Sequence, residues 1–279
     1  MRFLVGFLAL VAGLVPYSAS SMEVAAKDTP QTRELPIVMY HNILKSRNGR
    51  YALSPEKLEN DFTAILSAGF TPVFMSEVID WVDGKGSLPN KPIVITFDDG
   101  HYNNLYYGLP IAKKLGVKFM INPVTSFSKH TADSGDHSNP NYSHITWAQM
   151  KEAVDSGLVE IGNHTHRMHR FKPRFGILKM DSENFDDYTA ALKSDIEYAQ
   201  ELIEQSGVPR PLTFAYPFGK YSKDSRELLV DMGFRALLTC NERVSTITQY
   251  DSTTLHNLGR FNRDGGISIE KLIQKICKE

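Results

Sequence analysis

The sequence predicts an α/β fold: a parallel sheet curled into a barrel, with helices outside. Three observations lead there. From Glu34 onward, strand-like and helix-like segments alternate, the pattern of βα units on a parallel sheet. About seven or eight strands over roughly 245 residues suit a closed barrel better than an open sheet. Four strand ends carry polar or special groups, and in a barrel such ends meet on one rim.

In chain order, Leu35–Tyr40 reads as the first strand, ended by His41. Ser54-Pro55-Glu56 opens a helix with a capping serine, proline at the first helical position and an early acid. Leu58, Phe62, Ile65 and Leu66 share one face of that helix, and Gly69 stops it. A short strand over 71–74 and a helix over 76–82 follow. Pro92 then precedes the β-branched run Ile93-Val94-Ile95, a buried strand that ends in Asp98, Asp99 and Gly100. Successive strand side chains point to opposite faces, so adjacent carboxylates serve one site only where the backbone turns, which Gly100 permits. Residues 104–115 read as a helix and 117–122 as a strand. The polar stretch 126–143, with His130, His137 and Pro140, reads as a long surface loop. Thr146-Trp147-Ala148-Gln149 is a capping box opening a helix to Ser156. A strand over 158–162 leads into the run Asn163–His169. A long helix is expected over 182–205, then a strand over 211–215 that enters Tyr216-Pro217-Phe218-Gly219. The remaining elements are a helix over 222–232, strands over 235–238 and 256–259, and a helix over 268–276.

With 42% hydrophobic and 23% charged residues, the 279-residue chain suits one large globular domain, and no internal repeat divides it. A net charge of −1 leaves no electrostatic footprint for nucleic acid. Arg2, the apolar run Phe3–Val15 and the small residues near Ser18-Ala19-Ser20 describe a secretory signal over 1–20, too short for a membrane span. Residues 21–33 read as a flexible leader and 34–279 as the folded domain. Cys240 and Cys277 allow one bridge or two buried free thiols, and neither reads as a catalyst.

The four special strand ends are His41, Asp98-Asp99, the run from His164 to His169, and the turn at Tyr216–Gly219. One aspartate with two histidines is a sound ligand set for a hydrolytic divalent metal, zinc above all. Three histidine pairs are open. His164 and His166 share a face of an extended chain, His166 and His169 would pair on a helix, and His164 and His169 need a loop between them. A magnesium phosphohydrolase would want further carboxylates or a phosphate-binding lysine, whereas this cluster offers imidazoles.

In these residues the sequence resembles the polysaccharide deacetylase family, the NodB-homology esterases of carbohydrate esterase family 4. Thr96-Phe97-Asp98-Asp99-Gly100 matches that family's first motif word for word. The second histidine of most members comes four residues after the first, where this chain has Met168. The poly-N-acetylglucosamine deacetylase branch is similar in placing it five residues on, as His164 and His169 do. That branch also resembles this chain in Met39-Tyr40-His41 and in Ala215–Gly219.

The resemblance implies a distorted (β/α)7-type barrel. It further implies Asp99, His164 and His169 as metal ligands, Asp98 as general base and the Phe218 backbone N–H as oxyanion donor, with His41 as general acid. The implied cofactor is one divalent ion, zinc with cobalt or nickel as alternatives. The implied activity is removal of N-acetyl groups from a hexosamine polymer by a secreted or envelope-associated monomer, without nucleic acid or a stable membrane span. An O-acetyl esterase and an inactive glycan-binding relative are the alternatives. Two departures stand out. Most members have an arginine where this chain has Ala215, which leaves Arg260 or Arg263 to support the base. Most also use a late histidine as acid, for which His256 is the counterpart to His41. His101 and His166 are read as bystanders near the site.

Overall fold

The computed structural model describes residues 29–46 and 48–278. The expected signal over 1–20 and most of the leader lie outside the described residues. Seven strands build the barrel: β1 (Ile37–Tyr40), β2 (Pro92–Asp99), β3 (Phe119–Pro123), β4 (Val159–Ile161), β5 (Thr213–Ala215), β6 (Ala236–Leu238) and β7 (Phe261–Asn262). The order β7-β1-β2-β3-β4 is parallel throughout, and β5 pairs in parallel with β6. Single bridges complete the ring. Asn163 meets Phe214 between β4 and β5, and Leu238 meets Leu258 between β6 and the segment ahead of β7. The α/β barrel is therefore present as a distorted (β/α)7 ring, with its thinnest seams on either side of the β5–β6 pair.

The helices are α1 (Pro55–Ser67), α2 (Met75–Val82), α3 (Leu109–Leu115), α4 (Thr125–Ser134), α5 (Trp147–Asp155), α6 (Phe185–Gln205), α7 (Lys223–Asp231) and α8 (Ile269–Ile276). Their starts follow side-chain chemistry. Ser54 accepts from the Lys57 N–H, and Thr146 and Gln149 exchange the two bonds of a capping box.

β2 shows how the barrel aims its chemistry. Seven of its eight residues are buried, as a strand covered on both faces requires. Ile93, Ile95 and Phe97 pack with Leu58 and Phe62 of α1, on the helix side. Val94 packs with Ile37, Met120, Ala215 and Leu238, which come from four other strands, so it faces the barrel interior. By the period of two, Thr96 and Asp98 share Val94's face. Asp98 thus enters the upper end of the barrel from inside.

Several expectations need correction. The first strand is interrupted at Pro36: Thr32–Leu35 pairs antiparallel with Ser245–Thr248 before β1 begins, so the last two leader residues, Thr32 and Arg33, are already in a strand. The stretch 126–143 is not all loop, because α4 occupies its first half. The final strand lies at Phe261–Asn262 rather than 256–259, although Leu258 does bridge to β6. Cys240 and Cys277 are unbridged, and Cys277 is exposed rather than buried. Among the described residues, no helix is long and apolar enough to cross a membrane.

Candidate metal centre

The site sits where β2, β4 and β5 end. Asp98 is 2% exposed. The next residue, Asp99, leaves the strand with φ 70°, and Gly100 follows at φ 72°. The turn that lets both carboxylates serve one site therefore begins at Asp99 itself, one residue before the glycine. Left-handed backbone is uncommon for a residue with a Cβ. Thr165 (φ 73°) and Phe218 (φ 58°) share it, and both belong to the loops around the site. Clustered strain of this kind is held in place by the surrounding structure and marks functional loops.

The run after β4 is pinned from three directions. Asn163 accepts from the Thr165 N–H and donates to Gln200 of α6. Asp195, also on α6, accepts from the His166 and Arg167 N–H groups. His164 donates from Nδ1 to the Ala215 carbonyl of β5 at 2.7 Å, which fixes its tautomer and leaves Nε2 as a bare lone pair. Spacing alone left three histidine pairs open, and the fold separates them. Asp99 Oδ1 lies 3.8 Å from His164 Nε2 and 3.4 Å from His169 Nε2, and the three donor atoms lie within 4.8 Å of one another. His166 instead meets Thr125 Oγ1 at 2.9 Å and packs edge-on against Tyr198. His101 lies near the site, as expected: its Nε2 is 3.6 Å from Asp99 Oδ2 and 2.9 Å from Asn42 Nδ2.

This donor set fits a divalent cation. Asp99 Oδ1 is buried with no hydrogen-bond partner, yet it faces two imidazole nitrogens. One carboxylate oxygen and two imidazoles with further positions open is the composition of a hydrolytic zinc site.

Asp98 is held separately. Burial pushes its carboxyl up, but the Arg260 guanidinium and nearby His164 outweigh burial and bring it down to about 2. Arg260 is wholly buried, and its Nη1 donates to Asp98 Oδ1 at 2.8 Å. Arg263, the other candidate, is committed to Asp61 at 2.6 and 2.9 Å. Asn122 of β3, not anticipated from the sequence, also donates to Asp98 Oδ1, at 2.9 Å. Burial likewise pushes Asp99 up, and the His101 contact and charge outweigh it, so its carboxyl lies well below the usual range. Burial takes the His164 imidazole down to about 4 against the pull of Asp98.

A cavity of about 680 Å³ opens over these groups, lined by His41, Asp98, Asp99, His164, His169 and Phe218. His41 is half-buried there, edge-on to Tyr51 at 4.9 Å, and burial lowers its pKa against the pull of Asp98 and Asp99. Phe171, 68% exposed, stacks on Phe218 at 4.3 Å and gives the cavity an aromatic wall. His256 lines a different depression, with Arg226 and Thr253.

A parallel seven-stranded barrel with one carboxylate and two imidazoles converging on its rim defines an α/β-barrel protein with a candidate hydrolytic metal centre. Residues 85–237, more than half the chain, match the family model for polysaccharide deacetylase, and the chain belongs to that family. Among its relatives, the poly-beta-1,6-N-acetyl-D-glucosamine N-deacetylase of Escherichia coli strain K12 is 24% identical over 240 residues, covering 77% of this chain and 35% of that protein. The protein of the same name from Staphylococcus aureus strain MRSA252 is 24% identical over 204 residues, covering 72% of this chain and 65% of that protein. The chain thus spans about a third of the first relative's length and just under two thirds of the second's. The Streptococcus pyogenes deacetylase PplD, solved in complex with acetate, shares the fold, with a TM-score of 0.71 and 18% identity over 88% of this chain and 99% of that one.

Proposed function

We propose that the protein hydrolyses N-acetyl groups of a hexosamine polymer, poly-N-acetylglucosamine first among them, using one divalent ion, zinc, held by Asp99, His164 and His169. The observation that carries this reading is the separate holding of two adjacent carboxylates in one cavity. Asp99 faces two imidazoles, while Asp98 is ion-paired to Arg260. When bound, the ion supplies positive charge that polarises an acetyl carbonyl and makes water more acidic. Asp98, ionised at neutral pH, takes a proton from the attacking water. The Phe218 N–H, turned by its left-handed backbone, donates to the oxygen that becomes negative as the carbonyl carbon turns tetrahedral. His41 gives a proton to the departing nitrogen, and the neighbouring Asp98 and Asp99 carboxylates favour its protonated form against the lowering effect of burial. The C–N bond breaks, and acetate and a free amine leave.

The name shared by the two relatives supports the choice of polymer, and the exposed Phe171 wall supports a sugar-bearing substrate. The basic and apolar N-terminus supports residues 1–20 as an export signal, with 34–279 as the working domain outside the cytoplasm. The experiment is acetate release from poly-N-acetylglucosamine, chitin oligomers, peptidoglycan and acetylated xylan, with and without a chelator. Release from the hexosamine polymers that stops with chelator and returns with zinc is expected. No release from any glycan would sink the reading.

A further inference from the structure

We infer that Asn122 is a positioning residue that works with Arg260 to aim Asp98 at the reacting water; the inference rests on the base role proposed above for Asp98. Asn122 stands directly opposite Asp98 in the β2–β3 register and is wholly buried. Its Nδ2 donates to Asp98 Oδ1 at 2.9 Å, and Arg260 Nη1 donates to the same oxygen at 2.8 Å. Among the described residues, Asp98 Oδ2 receives no hydrogen bond, and Asp98 lines the cavity. A carboxylate held by one donor still rotates about its last bond. Two donors, one on β3 and one on the residue ahead of β7, fix its plane and leave Oδ2 for the substrate side.

The surroundings of Asn122 make sense only with that task. An ionised carboxylate accepts hydrogen bonds and donates none, so the amide must present its NH₂ to Asp98. Its own oxygen is thereby turned away and buried with no partner. A Cβ on residue 162 would lie 2.1 Å from that oxygen, so any residue larger than Gly162 would displace the amide. Leucine would fill a similar volume without stranding a carbonyl. For a residue that merely packs, an amide here is a loss. For a donor that holds a base, it is the function.

The test is Asn122→Leu, with Asn122→Ala beside it, each checked for folding by thermal unfolding and for bound zinc. On an acetylated oligosaccharide, kcat should fall by about tenfold to a hundredfold with little change in KM, as for a misaimed catalytic group. In an Asp98→Asn background the same Asn122→Leu change should alter the residual rate less than about twofold, because its effect runs through the base. A crystal structure of metal-free Asn122→Leu should show the Asp98 carboxylate rotated from its present plane. An equal loss in both backgrounds would assign Asn122 a structural role only and overturn the inference, as would an unrotated Asp98. A wild-type protein inactive on every acetylated substrate would sink the proposed function instead, and the rotation of Asp98 would still decide the role of Asn122.

Discussion

Replacing Arg260 with methionine removes one partner of an ion pair whose side chains are 0% and 3% exposed. Breaking a buried pair from one side typically costs about 3–5 kcal/mol, because the remaining charge stays buried without compensation. A second route gives a similar size. A carboxyl moved from its ordinary 3.8 to about 2 contributes roughly 2 kcal/mol at neutral pH. Arg260→Met should therefore destabilise the protein by about 2–5 kcal/mol at pH 7. The pH dependence has a definite sign. Asp98 is depressed in the folded state, so its contribution is complete above its unfolded pKa near 4 and is lost as the pH falls through about 2. Urea unfolding of wild type and variant in chelator, at pH 7, 5 and 3, should show a gap that is widest at pH 7 and narrower at pH 3. The gap need not vanish, because Arg260 also donates to the Thr239 carbonyl at 2.9 Å. A gap below about 1 kcal/mol at pH 7, or one that widens on acidification, would refute the placement of this cation on the base.

The ligand set predicts that Asp99→Ala, His164→Ala and His169→Ala each lose bound zinc on dialysis while His166→Ala keeps it; full metal content in His169→Ala would overturn the pairing. Asp98→Asn should stay metal-loaded and lose at least about a hundredfold in rate, since an amide cannot accept the water's proton. His41→Ala should be folded, metal-loaded and slow, with the residual rate shifted in favour of O-acetyl esters, whose leaving oxygen needs less help from an acid. His256→Ala, in its separate depression, should stay near wild-type activity, and a loss greater than that of His41→Ala would move the acid to the late histidine.

Local chemistry made much of the chain readable. The Ser54 and Thr146 caps, the apolar face of α1 and the β-branched run of β2 each declare their element within a few residues. The first half of 126–143 was opaque because α4 buries Thr125, Ser128 and Thr131 where an apolar stripe would be expected. Its first N–H groups go to the carbonyls of Thr165 and His166, which no local pattern reveals. At the site, residue types were legible and partnerships were not. Asp99 and the two histidines could be nominated from spacing and resemblance. Choosing Arg260 over Arg263 needed the fold, because one reaches Asp98 and the other reaches Asp61 on α1. Asn122 gave no signal at all, since an asparagine near a strand end ordinarily reads as the start of a turn.

The recognised segment, residues 85–237, contains Asp98, Asp99, His164, His169 and Phe218. His41 precedes it and Arg260 follows it. The chain reaches both through β1 and β7, neighbouring strands that enter the barrel from opposite ends of the sequence. On the proposed roles, the metal donors and the base share one stretch of chain, while the acid and the cation that holds the base lie in its flanks. A protein trimmed to the recognised segment would retain the proposed metal donors and Asp98, lose His41 and the Arg260 guanidinium that holds Asp98, and bare the edge of β2. Two relatives alike across that segment and unlike in their flanks would share the proposed ion site and base while differing in the acid and in what holds the base.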